Sequence, residues 1–462
     1  MPTAATIPLI LLVAVLWYYT KGRILAIVLF TSIFDAASAL DFGTMGVSPW
    51  LFTLILCLTI KVLQGHRPPQ LAPGINKIAF RLVLLFFAYA AWSGLVYPFI
   101  FRGIPVVKAI DPVPLEWSIS NLAQLCYLLA DCIIFSMAVS SSKEELEIAV
   151  DWYVRGCIVA AFFAIYQLAN ATIHIPYPDA ILYSNKAHVV YRAYKMGGLW
   201  RLNSTFTEAS DMAGFMTVAA GLLGWTLFTR PLRLGRSVNF VLIVVSILLT
   251  FSSTGYLVMA FMLLLGGFLY IRYLMRLGGI SAIKLIAMIL LLAGMTSSIA
   301  SESARATVSK VVRSVLLDKD KSASYRARAE SHTQALAALS DTYYMGAGWG
   351  SIRASGFAFF LLGTVGVVGL TLFCSFYLSL FLPLFRRRGQ DERDSLNDLL
   401  ERSLFGVSIL LCGLAAAGSE PTLPVLWVLF GVATLGRSFS SSGMEARVGA
   451  PLDDHRYLPR VA

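Results

Sequence analysis

The sequence predicts an all-α fold, a polytopic transmembrane helical bundle with about 12–13 spans and two long non-cytoplasmic loops. The chain is 57% hydrophobic and only 14% charged, and its mean hydropathy is +0.72. Soluble domains are roughly a quarter charged and under half apolar. The apolar residues also fall in long runs, and a bilayer core needs about 20 such residues per helix. This composition excludes an ordinary soluble enzyme and a disordered chain.

The predicted helices follow one another along the chain, and most of the connections between them are short. Short basic connections alternate with connections that are neutral, acidic or long, and the positive-inside rule places the basic ones in the cytoplasm. The first two apolar runs form either a hairpin or a single span, so the orientation of the N-terminus stays open. The apolar runs lie at 5–20, 24–40, 47–64, 78–101, 121–140, 148–170, 207–229, 237–251, 254–275, 280–299, 355–385, 403–418 and 421–437.

Two connections are too long to be simple helix connectors. They form outer loops at 170–205 and 300–354 within an integral membrane domain of residues 1–437, which a flexible cytoplasmic tail of residues 438–462 follows. The first loop has four basic residues against one acidic residue and the second has eight against five, so each carries a net charge of +3. Translocated loops usually avoid positive charge. The exception indicates an anionic ligand at the outer face.

The net charge of the whole chain, +11, has a topological explanation. Most basic residues lie in loops beside apolar runs, so we expect a membrane protein with no nucleic-acid partner. The six cysteines lie inside apolar runs without metal-ligand spacing. The sequence therefore predicts no metal site and no cofactor.

The end of the first outer loop contains the residues best suited to bind a phosphorylated sugar. Trp200 offers a flat face for sugar stacking, and the guanidinium of Arg201 fits phosphate. Arg192 and Lys195 precede them in the same loop. Glu208 opens the next helix, and Asp211 lies three residues further on. The alternative is that Trp200 and Arg201 only anchor the loop at the membrane interface. The two carboxylates would then only stabilise the N-terminus of the next helix.

The second outer loop contains a stretch that looks helical, from residue 324 to residue 339. Arg328 and His332 are four residues apart and share a face, while Arg326 and Glu330 share another. The alternative is an amphipathic helix on the membrane surface in which Arg326 and Glu330 pair.

A glycine-rich segment, 343–351, follows this stretch. Tyr344, Gly348 and the later Arg353 are further candidates for substrate binding, because glycines let a backbone approach a ligand closely. A plain turn is the alternative, since no Gly-Lys-Ser/Thr follows to make a phosphate loop.

The order of these motifs resembles the O-antigen ligase and polymerase family of bacterial envelope glycosyltransferases. Ligases of that family usually carry a histidine at the start of the helix where this chain has Ser355-Gly356. The absence of this histidine favours a polymerase. The three matching segments are Arg201 followed by Ser204-Thr205-Phe206 and Glu208; Ser324-Tyr325-Arg326-Ala327-Arg328 followed by Gly346-Ala347-Gly348-Trp349-Gly350; and the helix from Ser355 to Gly369 with its paired glycines.

The resemblance implies polymerisation of O-antigen or exopolysaccharide repeat units at the outer face of the bacterial inner membrane. The donor would be a polyprenyl-diphosphate-linked oligosaccharide, and a chain-length regulator or export proteins would be partners beside the membrane lipid. Arg201 and Arg328, with Arg326, are expected to hold the diphosphate. Glu208 is the candidate base for the acceptor hydroxyl, and His332 is the alternative base.

Three alternatives stay open. The first is ligase-type transfer of a glycan to an acceptor. The second is a transporter or flippase of lipid-linked glycan, which would use charges within the helices such as Asp131 and Arg155. The third is a non-catalytic scaffold of an envelope assembly complex, in which single outer-loop arginines could be replaced at little cost.

Overall fold

A computed structural model describes residues 1–43, 45–65, 71, 75–107, 112–186, 194–196, 199–229, 233–277, 323–382, 395–416, 418 and 422–435. Within these ranges the chain is mostly helical. Five helices are long and apolar enough to cross a membrane, as a multi-pass membrane protein requires: Lys77–Ile100, Ile119–Ser140, Lys143–Ile173, Phe357–Ser379 and Leu399–Ala416, the last being part of a longer helix.

The described helices follow the predicted order. They are α1 (Thr6–Thr20), α2 (Ile24–Thr31), α3 (Pro49–Leu63), α4 (Lys77–Ile100), α5 (Ile119–Ser140), α6 (Lys143–Ile173), α7 (Asp179–Leu182), α8 (Ala209–Thr229), α9 (Leu234–Leu248), α10 (Ser253–Leu277), α11 (Ala323–Asp341), α12 (Phe357–Ser379), α13 (Ser395–Ala416) and α14 (Pro424–Thr434). The predicted helix at 280–299 and the tail at 438–462 lie outside the described residues.

One predicted helix was too long. The run at 24–40 forms a helix only as far as Thr31. The Thr31 hydroxyl donates to the Ile27 carbonyl at 3.0 Å, and the Ser32 hydroxyl donates to the Leu29 carbonyl at 2.7 Å. The N–H groups of residues 32–34 still bond to carbonyls three or four residues back, and the chain then contacts another segment, since the Ala36 N–H donates to the Thr205 carbonyl at 3.0 Å. Hydroxyl groups and a tertiary contact therefore end the helix inside an apolar run.

Three short antiparallel hairpins depart from the all-α prediction. Each strand has three residues, which is too short for an alternating pattern to stand out in the sequence. The pairs are β1 (Leu40–Phe42) with β2 (Met45–Val47), β3 (Pro105–Val107) with β4 (Pro112–Pro114), and β5 (Tyr194–Met196) with β6 (Leu199–Arg201).

The N-terminal residues lie beside the first hairpin. Pro2 pairs with Leu40, and the terminal amine of Met1 donates to the carbonyl of Asp41. The chain then descends through α1 and returns through α2. The turn between them lies at the opposite end of the bundle, where Arg23 forms an ion pair with Glu144 at 2.8 Å. Of the two arrangements that the sequence left open, the structure has the hairpin.

Helix α11 packs alongside α12, and the two run in the same direction. The N–H of Ser355, just before α12, donates at 2.8 Å to the hydroxyl of Ser331, in the middle of α11. Deeper in the bundle, the Val367 N–H donates to the Tyr344 carbonyl at 3.1 Å. The segment 346–353 then runs back toward the start of α12, where the Arg353 N–H donates to the Val107 carbonyl at 3.1 Å. Helix α11 is therefore held against a helix long enough to span a membrane.

Small residues allow close helix packing inside the bundle, as is common in membrane proteins. A Cβ atom at Gly431 would lie 2.4 Å from Ala138 Cβ, and one at Gly94 would lie 3.0 Å from the Trp349 carbonyl oxygen. Large aromatic side chains fill the space beside these contacts. Buried Trp349 meets Phe86 edge-to-face, with ring centroids 6.1 Å apart.

Candidate functional site

The segment 199–211 is anchored by a buried glutamine. The Gln167 side-chain carbonyl accepts the backbone N–H groups of Asn203 at 3.1 Å and Ser204 at 2.9 Å, and its amide donates to the Asn203 side chain at 2.8 Å. Ser204 has φ +54°, a left-handed conformation that favours glycine. Its hydroxyl donates to the Ala160 carbonyl at 2.6 Å, which helps to hold this conformation.

Thr205 brings a second segment to this one. Its buried hydroxyl donates to the Ile33 carbonyl at 2.5 Å, while its own carbonyl accepts the Ala36 N–H. These bonds fix the residues after α2 beside Thr207. The half-buried carboxylate of Asp35 consequently accepts bonds from the Thr207 hydroxyl at 2.9 Å and from the Thr207 N–H at 3.3 Å.

Three carboxylates meet around the start of α8. The Thr207 hydroxyl also lies 3.0 Å from Oδ2 of Asp211, in the first turn of the helix. Glu208 is half-buried, and its Oε2 accepts the Ser210 hydroxyl at 3.0 Å. The sequence singled out Glu208 and Asp211, and the structure adds Asp35.

Arg328 contacts the first turn of α10. Its Nη1 lies 3.4 Å from the Thr254 hydroxyl oxygen, and its positive charge acts on Asp211. The charge of Arg201 acts on Tyr256 in the same turn. The two predicted arginines, one from each long connection, are therefore both related to the start of α10, Arg328 by a contact and Arg201 by its charge. We call Asp35, Arg201, Thr207, Glu208, Asp211 and Arg328 the acid–arginine site.

The carboxyl group of Asp211 has a strongly altered acidity. Asp211 lies outside the five helices that qualify as membrane spans. Part of the side chain is exposed to solvent, but the surrounding protein atoms reduce the hydration of the carboxyl group. This loss of hydration is the largest cause that raises the pKa of Asp211 to about 7. The negative charges of Asp35 and Glu208 raise it further, while the Thr207 hydroxyl and Arg328 oppose them. At neutral pH this group can both accept and release a proton.

The other candidates on α11 lie apart from these contacts. Arg326 is exposed, and the exposed carboxylate of Glu330 accepts a bond from the Gln334 amide at 3.3 Å. The imidazole of His332 stacks on Phe359, with ring centroids 4.0 Å apart. A Cβ at Gly356 would lie 3.2 Å from His332 Nε2, so the side chain of His332 occupies the space beside that glycine.

The glycine-rich segment packs backbone against backbone. A Cβ at Gly348 would lie 2.7 Å from the Ser93 carbonyl oxygen, and one at Gly346 would lie 2.6 Å from the Gly366 nitrogen. These contacts give the glycines a packing role that the sequence did not reveal. The side chains of Tyr344 and Arg353 are exposed. Their predicted role in substrate binding, like that of Gly348, stays a prediction.

The remaining predicted residues are distributed as follows. Trp200 is partly buried and lies in β6, where it pairs with Lys195 of β5. Arg192 lies outside the described residues. Asp131 is buried in α5, and Arg155 places its guanidinium 4.8 Å from the centre of the Trp152 ring. Among the described residues, no three His, Cys, Asp or Glu side chains are grouped so that they could hold a metal ion.

Compared with models of known protein families and with curated proteins, the sequence matches none.

Proposed function

We propose that the protein polymerises polysaccharide repeat units by glycosyl transfer from a polyprenyl-diphosphate-linked donor at the outer face of a bacterial inner membrane. One observation carries this proposal. Arg328 contacts the first turn of α10 and its charge acts on Asp211, while the charge of Arg201, from a connection far away in the chain, acts on Tyr256 of the same turn. Arginine binds phosphate oxygens through two parallel hydrogen bonds and stays charged at any physiological pH.

The chemistry needs two kinds of group, and the acid–arginine site has both. A hydroxyl oxygen of the acceptor attacks the anomeric carbon of the donor sugar, and the bond from that carbon to the diphosphate oxygen breaks. The diphosphate leaves with the electron pair, so positive charge near it stabilises the transition state. The hydroxyl proton passes to a carboxylate, and the sequence makes Glu208 the first candidate.

The same site argues against the flippase alternative. A transporter would be expected to line a path within its helices with ionisable groups. Here the converging charges lie where loops meet the first residues of α8 and α10. The choice of polymerase over ligase rests on the resemblance and on Ser355-Gly356, which stand where ligases of that family carry the histidine and the residue after it.

The experiment uses the full-length protein in proteoliposomes with a polyprenyl-diphosphate-linked oligosaccharide, and the products are separated on a gel. We expect a ladder of products from the wild-type protein. Arg201→Ala and Arg328→Ala should each slow its formation by about 10²–10³, the typical effect of removing one group that stabilises transition-state charge.

Arg102→Ala is the matched control, because Arg102 is an exposed arginine just after α4 that forms an ion pair with Glu116 at 3.1 Å. It should leave the rate near that of the wild type. A single transferred block would support a ligase, and donor movement across the bilayer without any new glycosidic bond would support a flippase. If both site variants and the control retain the ladder equally, the arginines do not act in the reaction.

A further inference from the structure

The Thr207 hydroxyl lies between two carboxylates. Its oxygen is 2.9 Å from Oδ2 of Asp35 and 3.0 Å from Oδ2 of Asp211, and both are hydrogen-bond distances. A hydroxyl carries one proton and can donate it to one acceptor only, whereas an ionised carboxylate can only accept. Two ionised carboxylates would therefore leave one short oxygen–oxygen contact without a proton.

One extra proton satisfies all of these contacts. If one carboxyl group is protonated, it donates to the Thr207 oxygen, and the Thr207 hydroxyl donates to the other. The same proton also relieves the repulsion between two negative charges held near one atom. The geometry therefore describes a carboxyl pair that shares a proton through a hydroxyl, and such a pair titrates as a unit.

The contacts differ between the two members of this pair. Asp35 accepts the Thr207 N–H as well as the Thr207 hydroxyl, and two donors favour its ionised form. The proton is therefore held mainly on Asp211, in agreement with its raised pKa. The charged groups that act on Asp211 are Asp35, Glu208 and, from α11, Arg328.

We infer that Asp211, rather than Glu208, is the catalytic base that takes the proton of the acceptor hydroxyl, and that Asp35 and Thr207 are positioning residues that set its acidity. This inference rests on the proposed function. In the reactive form Asp211 is ionised. As the acceptor oxygen bonds to the anomeric carbon and the diphosphate leaves, the O–H bond of the acceptor breaks and its proton forms a new O–H bond on Asp211.

Glu208 has a different position in this scheme. Its carboxylate accepts the Ser210 hydroxyl and acts on Asp211 only through its charge. Its removal should lower the pKa of Asp211 without removing the base. Glu208→Gln therefore separates this inference from the assignment that the sequence alone suggests.

The first test compares initial rates of ladder formation at saturating donor. Asp211→Asn should lower the rate by a factor of about 10²–10⁴, the usual contribution of a general base. Glu208→Gln should lose less of the rate than Asp211→Asn and should move the pH midpoint of the rate to lower pH, because it removes a like charge that acts on Asp211. Loss of activity in Glu208→Gln together with retained activity in Asp211→Asn would overturn the inference. Absence of any ladder from the wild-type protein would instead contradict the proposed function.

The second test uses the pH dependence of the rate, which a merely structural role would not shift. The wild-type rate should fall below a midpoint near pH 7 as Asp211 becomes protonated. Thr207→Val removes the hydroxyl through which the two carboxyl groups share the proton and should therefore shift this midpoint. Asp35→Asn removes a like charge and should move it to lower pH.

Thr207→Ser is the matched control, because it keeps the hydroxyl and should restore the wild-type midpoint. If Asp35→Asn fails to fold, the Thr207 pair alone decides the question. An unchanged midpoint in Thr207→Val would show that the hydroxyl does not set the acidity of the base, and the inference would be wrong.

Discussion

The backbone of α12 leaves its regular helical path at Gly366, and we call this position the break in α12. The contact between Gly346 and this break allows a stability prediction that needs no knowledge of the substrate. Gly346 has φ +82°, and a Cβ there would lie 2.6 Å from both the Gly366 nitrogen and the Thr364 carbonyl oxygen. Both are backbone atoms, so they cannot move aside as the end of a flexible side chain would. Gly346→Ala therefore has two separate costs.

Gly103 isolates one of these costs. It has φ +90°, and no atom lies within 4 Å of a Cβ built there. Gly103→Ala should lower the free energy of unfolding only by the cost of placing a side chain on a left-handed backbone, about 1–2 kcal/mol. Gly346→Ala should lower the free energy of unfolding by the same amount and by a further overpacking cost of about 1–3 kcal/mol.

The assay is thermal unfolding of the two purified variants in the same detergent, measured beside the wild-type protein. We expect Gly346→Ala to unfold at a clearly lower temperature than Gly103→Ala. Equal midpoints for the two variants would mean that the segment 344–348 does not pack against the break in α12, and the reasoning would fail.

Three further predictions concern the site. Gln167→Leu removes the acceptor of two buried N–H groups, one of them from Ser204, and should lower the free energy of unfolding by about 1–3 kcal/mol for each unsatisfied group; chemical denaturation would check this. His332→Phe keeps a ring that can stack on Phe359 and should keep most of the ladder-forming activity. A large loss of this activity would instead support His332 as the base. The pKa of Asp211 rises from 3.8 to about 7 on folding, so between these pH values the folded protein binds more protons than the unfolded chain. Stability should therefore fall as pH rises through this window, and thermal unfolding of Asp211→Asn should show a weaker dependence.

The sequence predicted the helices well because each apolar run is a local signal. The described helices lie in the predicted order, and the segment after residue 324 is helical as expected. The end of α2 was misplaced because Ala36 bonds to Thr205, which a local pattern does not show. The short hairpins were missed because three residues carry too little periodicity.

The candidate site was predicted in part. Arg201, Glu208 and Arg328 stood out as charges near the ends of outer loops, and the structure relates both arginines to the start of α10. Asp35 lay in a different apolar run, and only its contact with Thr207 relates it to this group. A single sequence has no signal for a pair that depends on tertiary packing.

The break in α12 has a consequence for how the protein can change shape. At Gly366 the helix leaves its regular path, and the hydrogen bonds that it loses are remade with the neighbouring segment. The Gly363 and Thr364 carbonyls accept the N–H groups of Ala347 and Gly348, each at 2.8 Å. Backbone groups within a bilayer must keep a partner.

Helix α11 therefore cannot slide along α12 without breaking several backbone bonds together. The register between the two helices is a property of the main chain, and it does not depend on which side chains α11 carries. Substitutions on the exposed face of α11 would thus change what the protein recognises, while the position of Arg328 relative to Gly366 along the axis of α12 stays the same. Motion of α11 along its own axis would therefore have to carry the segment 344–348 and the backbone of α12 around Gly366 with it.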